Sequence, residues 1–185
     1  GESFANYDAL LSALRFMNSD QTLNIGARHI TVSSCGLLPM IRRFSTEPEQ
    51  FTLAISLHSA VQETRDSLMP AVSRYSLSQL RSSLQSYTVK TGRRVSLEYS
   101  LIKQVNDSQD DIQSLISFCE GLLCHVNLIP LNAVEGSRFK PSDFKKYKEF
   151  SVALNRRGIE TTIRKSRGVD ISGACGQLKA KHFKD

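Results

Sequence analysis

The chain has 185 residues, of which 40% are hydrophobic and 23% charged, a composition typical of one folded domain and unlike that of disordered proteins. It has no apolar run of the roughly 18 residues that a membrane-spanning helix needs and no secretory signal at Gly1, so we expect no membrane association. The net charge of +6 favours an acidic partner such as a nucleic acid, although many basic proteins bind none.

The first half of the chain alternates between helical and extended patterns. Leucines at helical spacing after Asn6 predict a helix that Asn6 caps. A strand is predicted at 29–34, a short helix at 39–44 and a second strand at 51–58.

The second half continues the alternation. Ser76 is predicted to begin a long helix that Gly92 ends, and a strand follows at 94–102. Ser108, with Asp111 three residues later, predicts a capped helix that runs to about residue 120. The apolar run 122–131 is typical of a strand that is buried on both faces of a parallel sheet.

The last predicted elements are one helix and one strand. The helix begins at 141, has Gly158 at its end, and turns four side chains inward, namely Phe144, Tyr147, Phe150 and Leu154. A strand at 159–164 follows it. Strands that alternate with helices at this spacing indicate parallel βαβ units in an α/β fold.

Polar residues follow the predicted strands where parallel strands place binding sites, at their carboxyl ends. These residues are Ser33, Ser34, Ser56, His58, Ser59, Asn106, Asp107, Asn132 and the segment 164–177. They suit a pocket for a polar ligand but specify no reaction. The sequence has no G-x-S-x-G, phosphate-loop or G-x-G-x-x-G motif, which counts against hydrolases, phosphoryl-transfer enzymes and dinucleotide-binding proteins.

The four cysteines, Cys35, Cys119, Cys124 and Cys175, include no C-x-x-C pair, so they do not predict a metal site. Cys119 falls on the apolar face of a predicted helix and is expected to be buried. Cys175 has only glycine and alanine beside it, which leaves its sulfur accessible. It is either a reactive thiol or an inert loop residue.

Nine blocks of sequence resemble one enzyme family, the radical S-adenosylmethionine methyltransferases of ribosomal RNA adenine, in which C2 enzymes and related C8 resistance enzymes are grouped. In the family's order, the blocks are 1–2, 30–34, 53–58, 68–70, 92–95, 105–108, 122–130, 162–168 and 174–178. The most specific are Ser56-Leu57-His58, Asn127-Leu128-Ile129-Pro130 and Ala174-Cys175-Gly176-Gln177-Leu178. The resemblance covers nearly the whole chain, which is similar to the C-terminal portion of the proteins in this family.

The resemblance implies roles for individual residues. The S-adenosylmethionine-binding positions of the family correspond to Gly1, Glu2, Ser33, Ser56, Leu57, His58 and Asn132. Cys175 corresponds to the cysteine that is itself methylated and carries the one-carbon unit to adenine. Cofactor chemistry is needed for this transfer, because the adenine ring carbon is too poor a nucleophile to attack the sulfonium of S-adenosylmethionine directly.

The resemblance also implies a fold and what this chain lacks. The expected fold is an incomplete parallel (β/α) barrel of the radical S-adenosylmethionine type, without the first strand or strands and without the cluster loop. The family holds its [4Fe–4S] cluster with a C-x-x-x-C-x-x-C motif upstream of the Gly-Glu block, and this chain has no such motif. No metal ligands are therefore expected here, and the chain alone is expected to be inactive. Because it also does not begin with Met, we expect a longer parent protein.

The whole chain, 1–185, is thus interpreted as the C-terminal part of a radical S-adenosylmethionine core domain with a basic segment at about 159–185. Arg164, Lys165 and Arg167 are candidate RNA-binding residues, with a merely solvated basic face as the alternative. The expected substrate is adenine C2, in preference to C8, of large-subunit ribosomal RNA, with transfer RNA as a further substrate. The expected partner is the N-terminal part of the same protein, and the expected location is the cytoplasm, or an organelle in a eukaryote. The alternative function is that of a non-catalytic RNA-binding or scaffolding relative that naturally lacks the cluster.

Overall fold

The fold is built on a five-stranded sheet in which all strands are parallel. The structure is a computed structural model and describes residues 1–132 and 137–164. The strands are β1 (Thr31–Ser34), β2 (Thr52–Ser56), β3 (Val95–Leu101), β4 (Cys124–Pro130) and β5 (Thr161–Ile163). They pair in chain order, β1-β2-β3-β4-β5, as in a barrel and not as in a doubly wound sheet, whose order reverses.

Six α-helices connect or precede the described strands. They are α1 (Tyr7–Asn18), α2 (Leu38–Phe44), α3 (Gln62–Leu68), α4 (Leu77–Thr91), α5 (Gln109–Cys119) and α6 (Phe144–Arg156). Short 3-10 helices lie at Ser3–Asn6, Ala27–His29 and Pro70–Val72. No helix in the described part of the chain is long and apolar enough to cross a membrane.

The helices cover one face of the sheet and form the hydrophobic core with it. In β3, Val95, Leu97, Tyr99 and Leu101 are fully buried and alternate with half-buried Ser96, Glu98 and Ser100. In β1 and β4, buried residues likewise alternate with more exposed ones, and with Ser56 of β2 and Thr162 of β5 the sheet has a second, mostly polar face. We call it the polar face; its central residues are Ser56, Ser96, Glu98, His125, Asn127 and Thr162.

The predicted parallel α/β architecture is confirmed. Each strand pairs with the next one along the chain, as βαβ units require. Within the described residues, β1 and β5 pair on one side only, so the sheet does not close into a ring. This is the incomplete barrel that the sequence predicted.

The helix caps follow the sequence closely. Gln79 N–H donates to Ser76 Oγ at 3.1 Å, and Ser76 N–H donates to Gln79 Oε1 at 3.0 Å, which completes a capping box for α4. Gly92 ends that helix in the left-handed conformation, with φ of 65°. Ser108 and Asp111 form the second predicted box, at the start of α5.

Several predicted details are wrong. β4 is not buried on both faces, because its second face belongs to the polar face and carries His125 and Asn127. Phe144 does not point inward, since it occupies the first turn of α6 and is 62% exposed. Asn6 occupies the N-cap position of α1 but makes no side-chain capping hydrogen bond.

Candidate functional site

The candidate site lies at the edge of the sheet formed by the carboxyl ends of the strands, which we call the carboxyl edge. Ser33 lies in β1, and Ser56 is the last residue of β2. His58 follows β2 by two residues, and Asn132 follows β4 by two residues and is half-buried. Because all the strands are parallel, these predicted positions lie along the same edge.

Glu2 reaches the carboxyl edge from the N-terminal segment. Its Oε2 accepts a hydrogen bond from Cys35 N–H at 2.7 Å, and its Oε1 accepts one from Phe4 N–H at 3.1 Å. Burial by itself raises the pKa of Glu2, but the hydrogen bonds from Cys35, Ser34 and Phe4 outweigh it and lower the pKa below its usual value. Glu2 is therefore an anion fixed beside the end of β1, with Gly1 exposed next to it.

His58 has a constrained backbone and a neutral ring. Its φ is 56°, in the left-handed region that few residues other than glycine adopt. Its Nδ1 accepts a hydrogen bond from Ser100 N–H at 3.1 Å, so the ring proton must be on Nε2. Burial, and then the nearby Arg65 guanidinium, lower the pKa of His58 to about 4. At neutral pH the ring is thus an uncharged hydrogen-bond donor through Nε2.

Leu57 contributes no side chain to the site. Its side chain is fully buried in the core, its N–H donates to Glu98 O at 2.9 Å and its carbonyl accepts from Ser59 N–H at 2.7 Å. Its place in the predicted Ser-Leu-His segment is explained by its packing, which holds Ser56 and His58 on either side of it.

Asn106 fixes the loops around His58; the sequence placed it among the polar residues that follow the strands but gave it no individual role. Its Nδ2 donates to His58 O at 2.5 Å and to Ser100 O at 2.8 Å, while its Oδ1 accepts from Ile102 N–H at 2.7 Å. Asn106 is fully buried, and its own carbonyl accepts from Tyr99 Oη at 3.1 Å. In the sequence, the Asn-Asp pair after the third strand indicated that a strand ends there. It did not indicate that Asn106 joins two strands.

Arg65 is a residue beside the site that the sequence did not indicate, because the short helix α3 was not predicted. It is only 1% exposed, and its Nη2 donates to Cys35 O at 2.8 Å. The Cys35 residue is therefore held by Glu2 at its N–H and by Arg65 at its carbonyl. Gly36 follows with φ of 102°, and a Cβ there would lie 3.3 Å from Arg65 Nη2, so the close approach requires glycine.

The polar face continues from the carboxyl edge as a row across the sheet. By strand register Ser56 pairs with Glu98, Glu98 with Asn127, and Asn127 with Thr162. Asn127 Nδ2 donates to Glu98 Oε1 at 2.8 Å, and Thr162 Oγ1 donates to Asn127 Oδ1. Side-chain hydrogen bonds thus link three strands, β3, β4 and β5, and β2 joins the row through strand pairing.

The remaining predicted residues are placed as follows. Arg164 is exposed after β5, and its N–H donates to Leu128 O at 2.9 Å. Lys165, Arg167 and Cys175 lie outside the described residues. Over residues 1–132 and 137–164, no group of three or more His, Cys, Asp or Glu side chains is arranged to hold a metal ion.

A cavity of about 290 Å³ lies at the opposite end of the sheet, between Cys119, Cys124 and Gly158. Cys124 begins β4 and Gly158 precedes β5, so this cavity opens at the amino ends of the strands. Parallel α/β folds place ligands at the carboxyl ends, and none of the predicted site residues lines it. We therefore place the candidate site at the carboxyl edge.

Comparison with known proteins gives close matches along the whole chain, although no family model matches it. It is 43% identical over 185 residues to the "Probable dual-specificity RNA methyltransferase RlmN" of Clostridium novyi (strain NT), which covers 100% of this chain and 54% of that protein. It is 45% identical over 184 residues to the protein of the same name from Clostridium perfringens (strain 13 / Type A), covering 100% of this chain and 53% of that protein.

A solved structure agrees with these relatives. The crystal structure of a radical SAM methyltransferase from Sphaerobacter thermophilus has a TM-score of 0.92 and 46% identity, covering 96% of this chain and 52% of that chain. The chain spans about half the length of the curated relatives that it matches. By sequence and by fold, the chain belongs to the radical S-adenosylmethionine RNA methyltransferase family, whose C-terminal portion it matches.

Proposed function

We propose that the full-length protein containing this chain transfers a methyl group from S-adenosylmethionine to a ring carbon of adenine in RNA. The observation that carries the proposal is the gathering of Glu2, Ser33, Ser56 and His58 at one edge of a parallel sheet. These are the positions that the family resemblance implies for cofactor binding. The relatives that match the whole chain are named RNA methyltransferases.

The residues at the carboxyl edge fit S-adenosylmethionine. The cofactor supplies a methyl group on a sulfonium. Ser33 and Ser56 offer hydroxyl groups, His58 a neutral Nε2–H donor and Asn132 an amide, which suit the methionine carboxylate and the ribose. On the polar face, Glu98 Oε2 is buried without a hydrogen-bond partner among the described residues, so it offers an acceptor. Gly1 and Glu2 complete the set through their position at the end of β1.

The chain does not fit a [4Fe–4S] cluster. Such a cluster needs cysteine thiolates, and neither the sequence motif nor a suitable group of side chains among the described residues provides them. We assign the cluster to the N-terminal part of the protein, which we propose as the partner of this chain. In isolation the chain is proposed to be inactive.

Cys175 is the proposed catalytic residue, although it lies outside the described residues. In this proposal its Sγ, as the thiolate, forms a bond to the methyl carbon while the sulfonium carbon–sulfur bond breaks, and S-adenosylhomocysteine leaves. The basic neighbours Arg167 and Lys179 in the sequence favour the thiolate.

The proposed substrate is large-subunit ribosomal RNA, modified at adenine C2, with transfer RNA as a further substrate. Arg164, Lys165 and Arg167, within the basic segment at about 159–185, are proposed to contact phosphates. Such substrates place the protein in the cytoplasm. A non-catalytic RNA-binding function is the second candidate, favoured by the absence of a metal-ligating group of side chains among residues 1–132 and 137–164.

The experiment incubates the reconstituted full-length protein with methyl-labelled S-adenosylmethionine and unmodified ribosomal RNA, and measures the label in adenine. We expect labelling by the wild type and by Cys124→Ala, because Cys124 lies at the amino end of β4, away from the carboxyl edge. We expect none from Cys175→Ala. RNA binding without any labelling in the wild type would support the non-catalytic alternative instead.

A further inference from the structure

Glu98 occupies a central position on the polar face that no predicted role explains. It lies in β3, directly opposite Ser56 of β2 in the strand register and opposite Asn127 of β4 on its other side. Ser56 is a proposed cofactor-binding residue at the carboxyl edge. Glu98 is therefore the direct cross-strand neighbour of Ser56, a residue that the proposed ligand contacts.

The hydrogen bonds around Glu98 have a defined direction. Asn127 Nδ2 donates to Glu98 Oε1 at 2.8 Å, so the other atom of that amide, Oδ1, is an acceptor. His125 Nε2 lies 2.7 Å from Asn127 Oδ1 and must carry the proton, which leaves His125 Nδ1 to accept from Ser96 Oγ at 3.3 Å. The chain of donors thus runs from Ser96 through His125 and Asn127 to Glu98. Its last acceptor is the carboxylate.

One oxygen of the Glu98 carboxylate has no hydrogen-bond donor among the described residues. Glu98 Oε2 is buried and accepts no hydrogen bond from the described residues, and Glu98 forms no ion pair with them. Burying a carboxylate oxygen without a donor is unfavourable, so such an atom marks a place where a ligand can supply the donor. The side chains that contact Glu98 and its partners are hydroxyls, an amide and an imidazole, which suit an uncharged ligand rich in hydrogen-bonding groups.

We propose that Glu98 Oε2 accepts a hydrogen bond from a hydroxyl or amino group of an adenosine bound beside Ser56. The inference rests on the proposed function, which brings two adenosines to this site: that of S-adenosylmethionine and the target nucleoside of the RNA. Both present the ribose 2′-hydroxyl and the exocyclic amine as donors. Asn127 and His125 are positioning residues that hold the carboxylate in place.

The test is Glu98→Gln in the reconstituted full-length protein. Glutamine keeps the size of the side chain and can still accept from Asn127, but it replaces the free acceptor with an amide donor. Glu63→Gln is the matched control, because Glu63 is exposed on α3. Three quantities are measured: the dissociation constant for S-adenosylmethionine, that for unmodified ribosomal RNA, and the midpoint of thermal unfolding.

We expect Glu98→Gln to raise one dissociation constant by about tenfold or more while the unfolding midpoint is kept, because a hydrogen bond to a charged group is lost. A change confined to S-adenosylmethionine identifies the cofactor's adenosine, and one confined to RNA identifies the target nucleoside. The inference is overturned if both constants stay at their wild-type values, or if affinity falls only together with the unfolding midpoint. In that case the Cys175→Ala result still decides the proposed function separately.

Discussion

His58 shows how a single residue at the carboxyl edge is specified by its surroundings. Its left-handed backbone is held by Asn106, which donates to the His58 carbonyl, and its ring is held by Ser100 N–H. A left-handed φ is energetically unfavourable for a residue other than glycine, so it persists only where the neighbouring structure holds it. Such residues cluster at functional sites. Because Nδ1 accepts from Ser100 N–H, Nε2–H is the hydrogen-bond donor of the ring, through which we propose that His58 binds the cofactor.

The lowered pKa of His58 predicts a pH dependence of stability. Since its pKa is about 4 in the folded protein and about 6.5 unfolded, the unfolded state binds more protons between these values. The stabilisation is complete above about pH 6.5 and is lost as the pH falls toward 4, amounting to about 2 kcal/mol between pH 7 and pH 5.

The prediction is measured by urea unfolding of the full-length protein at the two pH values. His58→Asn is the comparison, because asparagine tolerates a positive φ and does not titrate. We expect the variant to lose that part of the pH dependence. An identical pH dependence in both proteins would show that His58 titrates normally.

Asn106 allows a second prediction at the level of one residue. Asn106→Ala leaves the His58 and Ser100 carbonyls and the Ile102 N–H without their partner, so we expect a loss of about 2–4 kcal/mol in the free energy of unfolding. Asn155→Ala is the control, since the exposed side chain of Asn155 donates to Ser151 in its own helix. Chemical denaturation compares the two, and equal losses would contradict a role in joining β2 to β3.

At the scale of elements, α4 and α3 show what local sequence can predict. α4 carries Leu80, Leu84 and Tyr87 at helical spacing between a capping Ser76 and Gly92. The hydrophobic spacing and the capping residues therefore predict the same helix. α3 has seven residues, and its buried residue is the charged Arg65. Since no apolar periodicity marks it, its existence depends on contacts with the loop after β1, which the local sequence does not reveal.

The capping box of α4 gives a prediction at this scale. Ser76→Ala removes the acceptor for Gln79 N–H, and we expect the free energy of unfolding to fall by about 1 kcal/mol. Affinity for S-adenosylmethionine should not change, because the cap is not among the groups of the carboxyl edge. Ser78→Ala, an exposed position in the same turn, should have little effect on stability. Equal stability of both variants would mean that the box contributes nothing.

For the whole molecule, parallel pairing and the convergence of the candidate residues on one edge of the sheet were predictable, whereas the hydrogen bonds of the polar face were not. The alternation of strands and helices was enough to indicate parallel pairing, and parallel pairing brings Ser33, Ser56 and Asn132 to one edge. The run 122–131 is nearly continuous in apolar residues, so it was interpreted as buried on both faces, and His125 and Asn127 within it were not recognised as part of a polar face. Their hydrogen bonds involve partners in β3 and β5, so only the sheet register reveals them.

The central claim is that Cys175 carries the methyl group in a radical S-adenosylmethionine RNA methyltransferase. Peptide mass spectrometry of the full-length protein, purified after exposure to S-adenosylmethionine, tests it most directly. We expect a methyl group on Cys175 and none on Cys35, whose pKa burial and Glu2 raise to about 12, or on buried Cys119. A methyl group on Cys35, Cys119 or Cys124 instead, or on no cysteine, would contradict it.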